Sequence, residues 1–259
     1  MDYNLHTHTY RCSHATGTER EYIDAAIKAG IKIMGFSDHI PFKFPDGEEY
    51  FYRVPMAQAR EYIETINSLK EEYKDQIELH VGFEVEYYPE HFEEMVRAAY
   101  MWGAEYLILG QHSVGKYPYV HWTTARTDDE ELLKEYVECV VQGIKSGVFT
   151  YVAHPDIMNF TGDEELYDKE MRKICKASKE CGVPLEINFL GIRDMRNYPC
   201  EKFWRIAGIE KAPVVFGLDA HDVSGAKDLD SLKKAEEMCE KYNLNLLTRP
   251  KLIDLEGKL

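Results

Sequence analysis

The feature that most constrains the fold of this chain is a repeated alternation of short apolar, β-rich runs with amphipathic helical stretches. Seven such runs follow one another along the sequence. Strands separated by helices pair in parallel and are covered by those helices, so the pattern predicts an α/β protein. The predicted strands are Tyr3 to Leu5, Ile31 to Ser37, Ile77 to Val85, Tyr106 to Gly110, Tyr151 to Ala153, Pro184 to Asn188 and Pro213 to Leu218.

The ends of the intervening helices carry their own signals. Two Thr-x-x-Glu capping boxes predict helix starts, at Thr18 to Glu21 and at Thr127 to Glu130. A glycine follows three of the helical stretches just before a strand, where a left-handed helix end is expected: Gly30, Gly147 and Gly182. We therefore expect a closed or nearly closed βα barrel, with an open doubly wound sheet as the alternative.

The length of 259 residues is ordinary for one α/β barrel, and no Ser-rich or Pro-rich linker divides the chain. We therefore predict a single domain over residues 1–259. One insertion, Ile40 to Pro55, interrupts the pattern between the second strand and the next helix, and it is rich in proline and aromatic residues. Because loops that follow strands carry function in barrels, this segment is either a substrate lid or a plain packed loop.

Composition and charge exclude several classes of protein. A formal net charge of -15 argues against broad nucleic-acid binding, which requires clustered Lys and Arg. A small substrate held by local positive charge fits better. No apolar run is long enough to span a membrane and no signal-type leader begins the chain, so we predict a cytoplasmic protein with no membrane segment. The six cysteines form no CxxC pair, and free, mostly buried thiols are expected.

Most of the histidines lie at or just after the ends of predicted strands, seven of the ten together with two acidic residues. His6 and His8 point the same way on an extended segment, as two ligands of one ion must, and Asp219 and His221 repeat this spacing. Imidazoles and carboxylates suit Zn, Mn or Fe, and the lack of clustered thiols argues against a zinc finger. We therefore predict a catalytic metal site. Its candidate ligands are His6, His8, His14, His39, Glu84, His112, His154, Asp219 and His221.

The other three histidines are predicted to lie outside this site. His80 lies four residues before Glu84 on the same strand, about 13 Å further down at roughly 3.3 Å per residue, and is therefore structural. His91 begins a helix and is expected to face solvent. For His121 a surface position is favoured over contact with a substrate.

These residues resemble the motifs of the PHP family, named for domains of polymerases and histidinol phosphatases, and within it the histidinol-phosphate phosphatase branch. The matching motifs are the HTH segment at His6, SDH at Ser37 to His39, the Glu in GFEVE, His112, AHPD and DAH at Asp219 to His221. The resemblance covers nearly the whole chain. It implies a distorted (β/α)7 TIM-like barrel that holds three divalent metal ions, with Zn, Fe and Mn all open.

The same resemblance distributes the ligands among the three ions. His6, His8, Glu84 and Asp219 would hold the first, and Glu84 would bridge to a second that His112 and His154 hold. The third would be held by His14, His39 and His221. The segment EINFLGIRDMRNYP resembles a stretch of the branch that places Arg193 near the substrate phosphate, while Gln111 departs from the pattern expected beside His112.

The implied function is hydrolysis of a small phosphate monoester, most specifically L-histidinol phosphate in histidine biosynthesis. A water bridging two metals, with a pKa lowered toward about 7, would be the nucleophile, and Arg193 would stabilise the phosphoryl oxygens. For Asp38 an orienting role is favoured over help with the leaving group's proton. Arg53 and Arg126 are either phosphate contacts or, as we favour, solvated surface charges. Glu186 and Asn188 either face the substrate or pack within their strand.

Three other functions remain as alternatives. A nucleotide or oligonucleotide phosphodiesterase is disfavoured by the acidic charge and the lack of a basic stripe. An amidohydrolase also begins with HxH, but it would use eight strands and usually a bridging lysine, whose place Glu84 takes here. A non-catalytic metal-binding module would be expected to have lost ligands, and this chain has all nine.

Overall fold

A computed structural model describes residues 1–44, 47–115 and 120–258. The strands are β1 (Tyr3–Asn4), β2 (Ile33–His39), β3 (Glu78–Val85), β4 (Tyr106–Leu109), β5 (Ser113–Val114), β6 (His121–Trp122), β7 (Phe149–Val152), β8 (Leu185–Asn188), β9 (Pro213–Gly217) and β10 (Asn245–Leu246). The α-helices are α1 (Glu19–Lys28), α2 (Ala59–Tyr73), α3 (Phe92–Trp102), α4 (Glu130–Ser146), α5 (Glu164–Cys181), α6 (Phe189–Arg193), α7 (Glu201–Glu210) and α8 (Leu229–Tyr242).

The seven predicted strands are confirmed as β1, β2, β3, β4, β7, β8 and β9, and they pair in chain order in one parallel sheet. The sheet also includes β10, which pairs with the start of β9. Sequence analysis missed β10 because it has two residues and neither is β-branched. A small antiparallel hairpin of β5 and β6 lies in the segment that follows β4.

The sheet curls until its first and seventh barrel strands meet at the carboxyl end. Thr7 forms a parallel bridge with Ala220, and the His8 N–H donates to the Ala220 carbonyl at 3.0 Å. Below this bridge the Asn4 side chain accepts from the Leu218 N–H at 3.0 Å. The predicted distorted TIM-like barrel is therefore confirmed, and the backbone bridge that closes it lies at the mouth, where the candidate ligands were predicted to lie.

The boundaries of β2 differ from prediction in a way that matters for the site. The Ile31 N–H donates to the Ala26 carbonyl at 3.0 Å, so residue 31 still completes the end of α1. The strand begins at Ile33 and continues to His39, which pairs in register with Glu84 of β3. Two candidate site residues of neighbouring strands are thereby placed side by side.

The helix signals are confirmed at α1 and corrected at α4. Thr18 and Glu21 form the predicted capping box. The second box is wrong, because Asp129 caps α4 by accepting from the Glu131 N–H at 2.8 Å. Thr127 instead forms a bridge with Phe160, and its carbonyl accepts from the Thr161 N–H at 2.8 Å, so that carbonyl is not free to accept the first hydrogen bond of a helix. Gly147 and Gly182 end α4 and α5 in the left-handed conformation as predicted, and Gly30 has a φ of +83°.

Apolar side chains fill the barrel beneath the mouth as well as the space between sheet and helices. The inner cluster contains Tyr3, Leu5, Tyr106, Ile108, Tyr151, Ala153 and Val215, all buried. Tyr106 donates its hydroxyl proton to the Leu5 carbonyl at 2.8 Å, which satisfies a polar group inside this cluster. The barrel interior beneath the mouth is therefore packed mainly with apolar and tyrosine side chains.

The insertion after β2 is packed onto the body of the protein. Its described part covers 40–44 and 47–55, so the predicted segment is judged without Pro45 and Asp46. Ile40, Phe42 and Phe44 are buried in the main core, which favours the packed-loop interpretation. Tyr52, also in this segment, lines the cavity at the mouth, so the loop forms a fixed wall of the site.

Two remaining expectations concern thiols and membranes. The six cysteines are all free as predicted, but only Cys12 and Cys175 are buried, so the expectation of mostly buried thiols is wrong. Among the described residues, every helix is too short or too polar to cross a bilayer.

Candidate metal centre

The nine predicted ligands converge at the carboxyl end of the barrel. His6, His8 and His14 come from β1 and the segment after it, and His39 and Glu84 end β2 and β3. His112 follows β4, His154 follows β7, and Asp219 and His221 follow β9. Each strand thus contributes at most a few side chains, and the curl of the sheet brings them together, as the architecture requires.

Glu84 lies at the centre of this group. Its Oε1 is 2.9 Å from His154 Nε2 and 3.3 Å from His112 Nε2. Its Oε2 is 3.1 Å from His39 Nδ1 and 3.7 Å from His6 Nε2. One carboxylate therefore faces imidazoles from both sides of the mouth, which is the geometry required of a bridging ligand.

A glycine makes room for this carboxylate. A Cβ at Gly110, at the end of β4, would come within 1.9 Å of Glu84 Oε1. Any side chain at this position would displace the carboxylate, so the glycine is required by the site as much as by the strand.

Asp219 forms the second acidic focus. Its Oδ1 is 3.2 Å from His8 Nε2, 3.4 Å from His6 Nε2 and 3.3 Å from His221 Nδ1. Asp219 has a φ of +45° and His154 a φ of +31°, conformations that non-glycine residues adopt only when their surroundings hold them. The backbone is thus strained at two of the nine candidate ligands.

A third group is built from imidazoles alone. His14 Nε2 and His221 Nε2 are 3.0 Å apart, and the rings of His14 and His39 stack with centroids 5.4 Å apart. Nitrogen atoms of His14, His39 and His221 all lie within 4.8 Å of one another. Neutral imidazoles at this spacing could each offer a nitrogen lone pair to one shared ion.

Several nitrogen and oxygen atoms of the candidate ligands are buried without hydrogen-bond partners among the described residues, as expected of atoms that bind divalent cations. Buried polar atoms almost always have a hydrogen-bond partner. Within the described chain, however, several donor atoms at the mouth are buried without a partner that meets hydrogen-bond geometry. These atoms are His6 Nε2, His8 Nε2, His39 Nδ1, Glu84 Oε2, His154 Nδ1 and Asp219 Oδ1. Buried nitrogen and oxygen lone pairs without protons to accept are what Zn, Fe or Mn would satisfy.

The two acids of the site are held as carboxylates. Burial raises the pKa of Glu84, but His112, His6 and His39 together hold that pKa well below its ordinary value. Burial likewise raises the pKa of Asp219, while His6 and His221 hold it well below its usual range. Both acids therefore offer negative charge to a cation.

Further carboxylates fix the orientation of the candidate ligands. Glu186 Oε1 is 2.8 Å from His6 Nδ1, and its Oε2 accepts from the His154 N–H at 3.0 Å. Asp38 Oδ1 lies 3.4 Å from His8 Nδ1. Such partners select the imidazole tautomer and aim its other nitrogen at a metal. The structure thus places Glu186 behind the ligands and outside the described lining of the mouth cavity.

Sequence analysis missed Glu86, which performs the same task for His112. Its Oε1 lies 3.1 Å from His112 Nδ1, and its Oε2 accepts from Arg53 Nη2 at 2.6 Å. Burial raises the pKa of Glu86, but Arg53 and His112 lower it to about 2. The alternation Glu84-Val85-Glu86 was the available signal, because two acids with period two at a strand end face the same way.

Both predictions for Arg53 are wrong. Its side chain is only 2% exposed and lies against Glu86 and the Ile40 carbonyl, so it is neither a surface charge nor a free phosphate contact. Burial of a guanidinium is tolerated here because a carboxylate neutralises it. Arg126 is exposed and contacts Thr161 at 3.4 Å, outside the mouth cavity.

Eight of the nine candidate ligands, all but the buried His6, line a cavity of about 450 Å³. Its walls beyond the ligands include Tyr52 and Trp122 on one side and Tyr198 and Arg196 on the other. No lysine is among the described residues that line it, so a lysine-bridged amidohydrolase site is not what this mouth contains. Arg193 lies behind the wall and pairs with Asp228 at 2.9 Å.

Asp38 and Asn188 lie below the cavity. Asp38 accepts from the Thr9 N–H at 3.0 Å and from the His39 N–H at 3.1 Å. Asn188 donates to Glu186 at 2.9 Å and to Asp219 Oδ2 at 3.0 Å, so it links two carboxylates of the site.

The three remaining histidines lie outside the ligand cluster. His80 is paired through both ring nitrogens, with Glu105 at 3.0 Å and Glu78 at 2.8 Å. His91 caps α3 and contacts the ring of Phe42 at 5.3 Å, so it is less solvent-facing than expected. His121, in β6, lies 3.3 Å from the Ala125 carbonyl.

The geometry can now be compared with known proteins. A family model described as the PHP domain matches residues 4–189. The chain belongs to the PHP family. The predicted membership of this family is therefore confirmed, and the HTH and SDH motifs lie within the matched residues.

Two curated relatives match most of the chain. A probable histidinol-phosphatase of Deinococcus radiodurans is 28% identical over 246 residues, which cover 90% of this chain and 92% of the relative. The histidinol-phosphatase of Bacillus subtilis is 27% identical over 250 residues, 83% of this chain and 92% of the relative. Both relatives are similar over nearly their whole length.

Solved structures share the fold. The histidinol phosphate phosphatase of Lactococcus lactis, crystallised with zinc, L-histidinol and phosphate, has a TM-score of 0.74 at 20% identity and covers 98% of this chain and 97% of its own. A histidinol phosphatase of Listeria monocytogenes has a TM-score of 0.73 at 20% identity and covers 89% of this chain and 99% of its own. The barrel of this PHP protein is thus a fold already seen in solved phosphatases.

Proposed function

We propose that this PHP protein is a metal-dependent phosphomonoesterase whose substrate is L-histidinol phosphate. The observation that carries the proposal is the convergence of six histidines and two acids on one open cavity, with His6 beside them and with buried donor atoms that lack hydrogen-bond partners in the described chain. The family and the two histidinol-phosphatase relatives support the reaction class. Residues 1–259 would act as one domain, since eight of the ten described strands, from β1 near the start to β10 near the end, share one sheet.

Three ions are proposed, in the arrangement that the family resemblance implies. His6, His8 and Asp219 lie close enough to share an ion, as do His14, His39 and His221. Glu84 would join the first group to a second ion held by His112 and His154, because its two oxygens face opposite sides of the mouth. Zinc, iron and manganese all suit these ligands.

Ions held there would supply Lewis-acid stabilisation of phosphoryl charge and would acidify water, as in other hydrolytic metal sites. The side chains of this protein do the positioning. Glu186, Asp38 and Glu86 each fix one histidine, so that the imidazoles need not reorganise when charge develops. Because Asp38 is engaged by Thr9 and His39 beneath the cavity, we propose that it orients His8 and takes no part in proton transfer.

The walls of the cavity support a substrate with a flat ring and an ammonium group. Tyr52 and Trp122 lie edge to face with centroids 5.4 Å apart and form an aromatic wall beside the ligands. Asp194 and Asp222 provide negative charge at the rim. Aromatic faces bind flat rings, and carboxylates bind ammonium groups, as the imidazole and amine of L-histidinol phosphate require.

The test is phosphate release from a panel of esters by metal-loaded protein. The panel contains L-histidinol phosphate, glycerol phosphate, 4-nitrophenyl phosphate and a bis-4-nitrophenyl phosphodiester, with chelator-treated protein as the metal-free control. We expect turnover that depends on metal and a kcat/KM for L-histidinol phosphate at least about 100-fold above the other esters, a difference of roughly 3 kcal/mol. A preference for another monoester would discard the substrate, and a preference for the phosphodiester would favour the nuclease alternative. The phosphoesterase proposal fails if no ester is hydrolysed.

A further inference from the structure

One wall of the mouth cavity has a positively charged side chain to which the proposed metal centre assigns no role. Among the described residues that line the cavity, Arg196 is the one arginine or lysine. It lies in the segment between α6 and α7, together with Asp194 and Tyr198, which line the same cavity. A guanidinium and a cationic metal centre repel each other at short range, and an anion that contacts both of them offsets this repulsion.

Contacts on two sides hold Arg196 in place. Its Nη1 donates to the Tyr198 hydroxyl at 3.1 Å, and its Nη2 donates to Asp194 Oδ2 at 3.2 Å. The side chain remains 40% exposed and lines the mouth cavity, so its remaining N–H groups are accessible to a ligand. An arginine held by two contacts with free N–H groups is prepared for bidentate binding of a phosphate.

Tyr198 anchors this arrangement beside the metal centre. It is 2% exposed, and its ring centroid lies 5.8 Å from that of His154. A Cβ at Gly191 would come within 2.3 Å of the Tyr198 carbonyl oxygen, so the two backbones pack closely. Because the Tyr198 hydroxyl accepts from Arg196, its own proton is left to donate to another acceptor.

Arg193, the arginine expected to meet the phosphate, is engaged elsewhere. Its Nη1 pairs with Asp228 at 2.9 Å, and Asp228 in turn caps α8 by accepting from the Ser231 N–H at 2.9 Å. Arg193 is absent from the described lining of the cavity. Its contacts therefore join the end of α6 to the start of α8.

We propose that Arg196 and Tyr198 form a phosphoryl-binding pair that holds an oxygen of the substrate phosphate in the mouth cavity. The inference rests on the proposed function, in that the ligand is a phosphate ester. It assigns the binding role to a residue three positions after the one that the family resemblance indicates.

The test measures binding of inorganic phosphate to the zinc-loaded protein by isothermal titration calorimetry, with zinc content determined in parallel. Arg196→Gln should weaken phosphate binding by roughly 10- to 100-fold, as loss of a charged hydrogen bond does. Arg196→Lys should recover part of the loss, because charge remains while the fork is gone. Tyr198→Phe keeps the ring against His154 and should weaken binding by about 3- to 10-fold.

Arg205→Gln is the matched control, since Arg205 forms an exposed pair with Asp168 at 2.6 Å on the outer surface. It should leave phosphate affinity unchanged. The proposal is overturned if Arg196→Gln binds phosphate as the wild type does, if it loses zinc, or if Arg193→Gln is the variant that weakens phosphate.

The two proposals fail separately. If no ester is hydrolysed but phosphate binding still depends on Arg196, the proposed function falls and the phosphoryl-binding pair stands. If L-histidinol phosphate is hydrolysed and Arg196→Gln leaves phosphate binding unchanged, the proposed function stands and the phosphoryl-binding pair falls.

Discussion

The two ends of the barrel use histidine in opposite ways. At the amino end, His80 contacts carboxylates through both ring nitrogens, Glu105 at 3.0 Å and Glu78 at 2.8 Å. At the carboxyl end, His6 contacts Glu186 through Nδ1 at 2.8 Å, while its buried Nε2 meets no partner with hydrogen-bond geometry in the described chain. Residue type and burial therefore do not identify a functional histidine. What distinguishes the two histidines is whether the second ring nitrogen has a hydrogen-bond partner.

The difference follows from what each end must do. A histidine paired on both sides joins neighbouring elements and stabilises the fold. A histidine paired on one side is oriented and leaves a lone pair exposed to the mouth, at the expense of stability in the metal-free chain. This barrel has both kinds of histidine, one at each end. Residues that stabilise the fold lie at the amino end of the strands and residues suited to chemistry lie at the carboxyl end, as in βα barrels generally.

Replacing one histidine at each end is the strongest test of this comparison. His6→Ala should abolish turnover of the preferred ester, with a loss of kcat/KM greater than the roughly 10- to 100-fold typical of residues that only orient a ligand. It should also lower metal content, measured by inductively coupled plasma mass spectrometry. His80→Ala should lower the melting temperature and keep both metal content and kcat/KM near the wild-type values.

Equal effects of the two substitutions on metal content would contradict the comparison, because they would place His80 in the metal centre or His6 outside it. Circular dichroism of both variants separates loss of metal from loss of fold.

A smaller effect is expected from the residues behind the ligands. Glu186→Gln removes the charge that faces His6 and should weaken metal affinity by about 10- to 100-fold. Gly217→Ala should act in the same direction, because a Cβ there would come within 1.7 Å of Glu186 Oε1 and displace the carboxylate. The measurement is zinc affinity by competition with a chromogenic chelator.

The control for the added methyl group is Gly143→Ala. A Cβ at Gly143 would meet Leu109 Cδ2 at 2.6 Å, in the core and outside the mouth cavity. This variant should change the melting temperature and leave zinc affinity as it is. If Gly217→Ala also changed only the melting temperature, Glu186 would have no positioning role.

Sequence analysis predicted the barrel because its strands are separated by helices with clear end signals. Gly147 and Gly182 marked helix ends correctly, since only glycine adopts a left-handed conformation without strain. Sequence analysis was wrong where hydrogen bonds to a distant segment determined the start of a helix. Thr127 has the local pattern of a helix cap, but its carbonyl is engaged by the Thr161 N–H beside its bridge to Phe160, and Asp129 caps the helix instead.

For the site, sequence analysis predicted the candidate ligands but missed residues that support them. The spacing of His6 and His8 is a local signal, and strand ends locate the other candidates, so their convergence followed from topology. Partners that lie behind ligands have no such signal. The pairing of Arg53 with Glu86 joins residues 33 positions apart, and only the packing of the loop after β2 reveals that a charged side chain is buried there. The proximity of Arg196 to the cavity likewise depends on how the segment after α6 folds back.

The smallest expected effect concerns the amino end alone. Burial raises the pKa of Glu105, but His80 and Lys70 lower it to about 2, below the value of about 4.3 expected in the unfolded chain. The stabilisation from Glu105 is therefore present above about pH 4.3 and is lost as the pH falls toward 2. Burial lowers the pKa of His80, but Glu105 and Glu78 raise it overall, so its stabilisation is present below about pH 6.5 and is lost as the pH rises through the raised pKa.

The two dependences predict that Glu105→Gln destabilises the protein most between about pH 4.5 and 6.5. Because the Glu105 side chain is 33% exposed, screening by water should limit the effect to about 1 kcal/mol. Urea unfolding of wild type and variant across pH 3 to 8 measures it, with metal-free protein used throughout so that the mouth contributes no binding energy. A difference that did not vary with pH would mean that Glu105 acts through packing, and the ionic description of the amino end would then be wrong.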